Sequence, residues 1–321
     1  MMRRRLAVLA IAALALTGCG EPDSAPRSDR TASYTDPPLP SGATAAEPNS
    51  TPPPEPDGCG DPTASLRPGA VRDRAALDAI RTRGRLLVGL DPGSNLFSFR
   101  DPATGTLQGF DVEIAREIAR DLLGDPEKVE FHMLGSAERE QALQNHTVDV
   151  VVKTMTITCE RRQRVSFSTS YLQAHQRVLT VRDSGITGLS DLAGRRVCVV
   201  SGTTSLDRIR RLQPAASILT VPSWADCLVV LQQRQVDAVS TDNTVLAGLA
   251  VQDPLTAVVG ENLSTEQYGI GIPKDRDDLV RFVNGTLERI RGDGTWSRLY
   301  RRWLEPQLGN AAIPPPPRYQ D

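Results

Sequence analysis

Between Leu86 and Leu304 short apolar runs alternate with amphipathic ones, and this alternation restricts the fold more than any other feature of the chain. Runs at Leu86–Leu90, Val129–Met133, Val148–Lys153, Arg196–Val200, Ile218–Val221 and Val236–Asp242 read as buried strands. Between them apolar residues recur at helical spacing, as at Val112, Ala115, Ile118, Ala119 and Leu122, and again at Leu206, Ile209 and Leu212. The pattern predicts further helices over Ala75–Arg83, Ala137–Asn145, Trp224–Gln233, Asn243–Ala250, Asp277–Arg291 and Thr295–Leu304. Strand–helix alternation requires crossovers, and crossovers place helices on both faces of a mostly parallel sheet, so the fold class is α/β. An extended run, Arg177–Val181, leaves the first block, and Glu266–Ile272 is an extended return.

The N-terminus has a different character. Arg3, Arg4 and Arg5 precede an apolar stretch, Leu6–Leu16, whose 11 residues are too few to span a bilayer. Leu16-Thr17-Gly18-Cys19 then resembles the lipobox of bacterial lipoproteins, which implies cleavage, export and lipid anchoring at Cys19. Residues 1–19 are thus read as a lipoprotein signal peptide. Residues 20–70 hold twelve of the chain's 24 prolines and show no helical or strand period, so they read as a disordered, semi-stiff tether. Fully extended at ~3.1 Å per residue, it reaches roughly 150 Å. Residues 311–321, with Pro314 to Pro317, read as a disordered tail. The expected location is the extracytoplasmic face of the cell membrane.

Four cysteines remain: Cys59, Cys159, Cys198 and Cys227. In an exported protein they predict two disulfides, with three possible pairings. Cys198 on a strand and Cys227 on a helix of the same block are paired, which leaves Cys59 with Cys159. Their spacing fits no zinc motif, so neither a metal nor a cofactor is expected. A net charge of −2 argues against nucleic acid as a partner. Aromatics make up only 4% of the chain, so a ligand pocket must work mainly through polar contacts.

Three places carry chemistry. Thr158 stands where a helix N-cap belongs, with Arg161 three residues on, directly after a strand. Free backbone N–H groups and a guanidinium together suit a planar carboxylate. Ser201-Gly202-Thr203-Thr204-Ser205 ends a strand and opens a helix, an arrangement that also favours an anion. Asp242 closes the strand Val236–Asp242, where open α/β sheets place ligand-binding groups. A zwitterion needs one cationic and one anionic clamp, and Arg161 and Asp242 supply them from different blocks.

These motifs fall in an order that resembles the polar-amino-acid-binding proteins of ABC importers over residues 71–305. The carriers are Gly109-Phe110-Asp111-Val112-Glu113, Met155-Thr156-Ile157-Thr158, Glu160-Arg161, Phe167-Ser168, Leu192-Ala193-Gly194, Ser201-Gly202-Thr203, Val236-Asp237-Ala238 and Tyr268-Gly269-Ile270. With the lipobox and tether, the chain looks closest to the glutamine/glutamate-binding lipoproteins of actinobacterial importers. The resemblance implies a two-lobed type-II periplasmic binding fold with two hinge crossovers. Lobe 1 would comprise 71–176 plus 269–310, and lobe 2 would comprise 177–268. It implies that Arg161, Thr156, Gly202 and Thr203 hold an α-carboxylate. Asp242 and the carbonyl of Thr154 would hold the α-ammonium, with Asp91 at the ligand's amino or side-chain end.

Departures from the family bear on specificity. The regions that carry stacking aromatics in many relatives read Pro92-Gly93-Ser94-Asn95 and Leu134-Gly135-Ser136. Val200 stands where some glutamine binders have Lys, and Lys153 replaces a residue that is usually small. Lys153 is therefore assigned to a side-chain carboxylate. The expected ligand is glutamate, aspartate, glutamine or asparagine, with the acidic pair favoured. The expected partner is an ABC permease or, alternatively, a transmembrane sensor protein, and the protein is expected to act as a monomer. No Ser/His/Asp or Cys/His constellation points to an enzyme.

Overall fold

The computed structural model describes residues 37–46, 59–69, 74–91, 93–309 and 313–321. The signal peptide and Cys19 lie outside the described residues. No helix among the described residues is long and apolar enough to cross a membrane.

The two larger sheets among the described residues are each backed by an apolar core. The first runs in the order Val129–Met133, Leu86–Leu90, Val150–Val151, Gly271–Pro273, Val165–Phe167. Its first three strands are parallel, and Gly271–Pro273 enters antiparallel between the last two neighbours. Helices Ala75–Arg83, Phe110–Leu123, Asp277–Gly292 and Thr295–Trp303 close over one core built on Val88, Phe110, Ile114, Ile272, Leu287 and Trp296. Helix Phe110–Leu123 can start only because residue 109 is glycine: its φ is +129°, and a Cβ there would lie 2.3 Å from the Phe97 carbonyl oxygen.

The second sheet runs Thr44–Ala45, Ser217–Val221, Arg196–Val200, Ala238–Asp242, Gln176–Val181, Thr256–Val259. Its three central strands are parallel, as βα alternation requires, and the outer ones are antiparallel. Val178, Val199, Trp224, Leu231, Val239 and Leu246 fill its core. The chain passes from the first lobe to the second through Leu172–Ala174 and returns through Glu266–Tyr268. These two segments pair antiparallel with each other, Leu172 opposite Tyr268, and form the two crossovers; Arg177–Val181, expected to be the outgoing one, lies within the second sheet instead. The two-lobed α/β architecture is therefore the one observed. Gln176 already pairs with Asp242 in the second sheet.

The tether and tail expectations need correction where they are described. Thr44 and Ala45 pair antiparallel with Thr220 and Leu219, because the strand Ser217–Val221 offers an open sheet edge that another strand can satisfy. Ser65 is buried, donates through Oγ to the Phe167 carbonyl at 2.7 Å, and bridges to Tyr319. Asp321 accepts from the Arg67 backbone N–H at 2.8 Å and pairs with Arg281 at 2.5 Å. Proline-rich composition thus removed regular periodicity from these segments without preventing them from docking on the lobes.

Both expected disulfides are present: Cys59–Cys159, with Cα atoms 5.7 Å apart, and Cys198–Cys227, with Cα atoms 5.5 Å apart. The second ties a core strand to the helix Trp224–Gln232 across a sequence separation of 29. Replacing Cys198 and Cys227 together with serine should lower stability by about 3–4 kcal/mol, because the unfolded chain regains loop entropy. Chemical denaturation of the wild type and the double variant measures this, and reductant should lower the wild-type midpoint in the same direction.

Candidate functional site

The first lobe's wall begins where the strand Val150–Val151 ends. Thr154 follows in a left-handed conformation, with φ of +38°, which a β-branched residue rarely adopts. Its backbone N–H donates to Asp111 Oδ2 at 3.1 Å, and Tyr171 donates its hydroxyl to Asp111 Oδ1 at 2.8 Å. Asp111 is fully buried, and burial pushes its carboxyl up to about 7. Two residues on, Thr156 bridges to Tyr268, so the return crossover runs beside this turn.

The helix Cys159–Arg164 starts at Thr158, whose hydroxyl accepts the Arg161 backbone N–H at 3.2 Å. That cap aims Arg161 inward. Its guanidinium is buried and donates to the Thr156 carbonyl at 2.8 Å and to the Gly202 carbonyl at 3.1 Å. A second buried guanidinium stands beside it. Arg139 donates to the carbonyls of Ser136, Lys153 and Gly202 at 2.9, 3.1 and 3.2 Å. Burial, and then the charge of Arg161, pull Arg139 down to about 9. Both guanidinium groups converge on the Gly202 carbonyl, and Arg161 also pairs with Glu140 at 3.4 Å.

The second lobe's wall is built from two strand ends. After Arg196–Val200 the chain turns through Gly202, whose φ is +71°. Thr203 caps the helix Thr204–Leu212 by accepting the Leu206 N–H at 3.3 Å, and its hydroxyl donates to the Val200 carbonyl at 2.7 Å. Beyond Ala238–Asp242, the Asp242 side chain makes no cap to the following helix. Its Oδ2 accepts the Tyr268 hydroxyl, and its Oδ1 has no partner among the described residues. Asp242 is 5% exposed. Burial, reinforced by the nearby Glu266 charge, pushes it up to about 7.

The two walls enclose a small cavity lined by Arg139, Thr154, Thr156 and Arg161 on one side and by Thr203, Thr204, Trp224 and Asp242 on the other. It adjoins a wider recess of about 330 Å³ whose rim is charged, with Glu140, Arg164, Asp207, Arg208, Arg211 and Glu266. Of the two, the inner cavity is the one lined by all three buried charged groups, Arg139, Arg161 and Asp242. The lobes meet at its edge, and a Cβ on Gly202 would lie 2.6 Å from the Ala137 Cα.

The structure brings together Thr154, Thr156, Arg161, Thr203 and Asp242, with Gly202 contributing its carbonyl. It places Lys153 and Asp91 elsewhere. Lys153 Nζ lies 3.3 Å from Asp91 Oδ2 and donates to the Leu134 carbonyl at 2.5 Å, and neither residue lines the cavity. Burial pulls the Lys153 ammonium down to about 8. Arg139, Thr204, Trp224 and Tyr268 were not assigned from sequence. For Arg139 a signal existed: it opens the helix Arg139–Gln144, where the helix dipole disfavours a cation.

The family description "bacterial extracellular solute-binding proteins, family 3" matches residues 86–306. The glutamine-binding ABC transporter protein GlnH of Bacillus subtilis is 34% identical over 248 residues, covering 77% of this chain and 91% of its own. The glutamate-binding protein GluB of Corynebacterium glutamicum is 34% identical over 234 residues, covering 69% and 77% respectively. Among solved structures, the L-cysteine solute receptor of Neisseria gonorrhoeae superposes with a TM-score of 0.69 at 29% identity, over 73% of this chain and 95% of that one.

Gly202→Ala tests the contact between the walls. The methyl group collides with backbone rather than with a flexible side chain, so the lobes must separate. Small-angle scattering should give a larger radius of gyration than wild type, while the unfolding free energy changes by only about 1–3 kcal/mol.

Proposed function

The chain belongs to the bacterial extracellular solute-binding proteins of family 3, and from that premise we propose that it captures an acidic amino acid, glutamate or aspartate, between its lobes. As a member it is an extracytoplasmic amino-acid-binding protein of ABC transport and not an enzyme. The proposal adds the ligand's charge, a lipid anchor at Cys19 and delivery, as a monomer, to an ABC permease. The relatives named for glutamine and glutamate support the ligand size.

One observation carries the reading. Two buried guanidinium groups and one buried carboxylate with an unpartnered oxygen face a single cavity. Arg161 would grip the α-carboxylate, together with the N-terminal N–H groups of the helix Thr204–Leu212. Asp242 Oδ1 would take the α-ammonium. Arg139 then remains for a side-chain carboxylate, a role that sequence reasoning gave to Lys153. Arg161 already pairs with Glu140 at 3.4 Å, and Arg139, bonded to carbonyls, is the cation that favours an amino acid of net charge −1 over a neutral amide. Trp224 supplies the apolar surface along the ligand's methylene groups.

Calorimetric titration with the twenty amino acids tests this. Glutamate or aspartate should bind most tightly, and at 100 times Kd should stabilise the protein by about 2.7 kcal/mol. Arg161→Ala and Asp242→Ala should each weaken binding by at least about 30-fold, since each leaves a buried charge unpaired. Arg139→Gln should remove the preference for glutamate over glutamine. Equal affinity of wild type for both, unchanged by Arg139→Gln, contradicts the acidic assignment.

A further inference from the structure

We infer that Tyr171 and Tyr268, one on each crossover, are positioning residues that orient the two groups facing the ligand's ammonium, Thr154 from the first lobe and Asp242 from the second. This deepens the reading of the cavity as an amino-acid site and rests on it.

The geometry is symmetrical in its logic. Tyr171 directly precedes the outgoing crossover strand, Leu172–Ala174, and Tyr268 ends the returning one, Glu266–Tyr268. The Tyr171 N–H donates to the Tyr268 carbonyl at 2.8 Å, and the two ring centroids lie 6.3 Å apart. Both rings are fully buried in the first lobe's core. From there the two hydroxyls reach opposite walls. Tyr171 donates to Asp111, which in turn holds the Thr154 N–H. Tyr268 donates to Asp242 Oδ2 and is in contact with Thr244 Oγ1 at 3.2 Å.

Each bond has a consequence at the cavity. Thr154 would escape its left-handed conformation if its N–H lost the Asp111 carboxylate, because that conformation is costly for a β-branched residue. Occupying Oδ2 of Asp242 fixes the carboxylate plane and leaves Oδ1 facing the cavity. Tyrosine is needed in both places, because a buried ring anchors the hydroxyl while the hydroxyl reaches across to a buried acid.

The Tyr268 bond also favours the ionised form of Asp242 against burial and against Glu266 on the same crossover, alongside Arg161 and Arg139 on the facing helices. The helix Asn243–Gln252 that follows Asp242 contributes no ionisable side chain. Removing the hydroxyl should therefore move the acid limit of binding upward in pH. A purely structural tyrosine would not do this.

The experiment compares wild type, Tyr171→Phe and Tyr268→Phe. Carboxyl-carbon NMR of the ligand-free proteins follows Asp242, and calorimetry follows glutamate binding from pH 5 to 9. In Tyr268→Phe the Asp242 midpoint and the acid limb of binding should both rise, with roughly tenfold weaker binding at neutral pH. In Tyr171→Phe binding should weaken several-fold at every pH while the Asp242 midpoint stays in place. If a phenylalanine variant fails to fold, 3-fluorotyrosine at position 268 replaces it, and its stronger donor should shift the limb to lower pH. An unmoved Asp242 midpoint, or unchanged affinity in both variants, overturns the inference. If wild type binds no amino acid, the reading of the site fails instead, and the NMR midpoints still decide whether Tyr268 governs Asp242.

Discussion

Charge withdrawn from water is the constraint on which this structure turns. Arg139, Arg161, Asp111 and Asp242 are all buried, and each sits where desolvation shifts it toward its neutral form. Such groups are expensive unless partners supply what water would have supplied. The fold provides carbonyls of Ser136, Lys153, Thr156 and Gly202 for the guanidinium groups, and tyrosine hydroxyls for the carboxylates. What it leaves unmatched among the described residues is one oxygen of Asp242, while on the opposite wall Arg161 pairs with Glu140 and Arg139 is bonded to carbonyls. In the proposed reading, a ligand carrying a free ammonium and a free carboxylate completes the set.

This arrangement exists only because two lobes are made to meet. Each parallel strand block ends in a turn at the cleft, Thr154 to Arg161 on one side and Gly202 with Asp242 on the other. Pairing between Leu172–Ala174 and Glu266–Tyr268 keeps both blocks attached to the same short ribbon. Ligand that touches both walls favours the closed arrangement by its differential affinity alone. The sign of the pH effect follows. Asp111 and Asp242 have raised values in the folded protein, so the stability they contribute is full below their ordinary range and is lost as pH rises through about 7. An ammonium against Asp242 reverses that shift for this group, so ligand is worth most where the empty site is most strained.

Much of this was legible in the chain. Strand–helix alternation named the fold class, and an extended interruption announced the passage between lobes, although it was set at Arg177–Val181, a second-sheet strand, rather than at Leu172–Ala174. Thr158 as a cap and Arg161 three residues later were readable because capping is local chemistry. Both disulfides followed from placing Cys198 and Cys227 on neighbouring elements. Other features depended on distance in three dimensions. Lys153 looked like a ligand group because it stands where relatives usually have a small residue, but its side chain turns to Asp91 instead. Arg139 carried only a weak local signal, a cation opening its helix, because its partner, the Gly202 carbonyl, lies 63 residues away. The docking of Thr44–Ala45 onto a sheet edge likewise has no local signature.

In the proposed reading, the ligand's ammonium meets an Asp242 carboxyl that burial holds protonated near neutral pH in the empty site. Calorimetry of glutamate binding at pH 6 in buffers of different ionisation enthalpy counts the protons exchanged. Release of most of one proton per ligand bound is expected, fading to none above about pH 8. Binding with no proton exchange at pH 6 would contradict it.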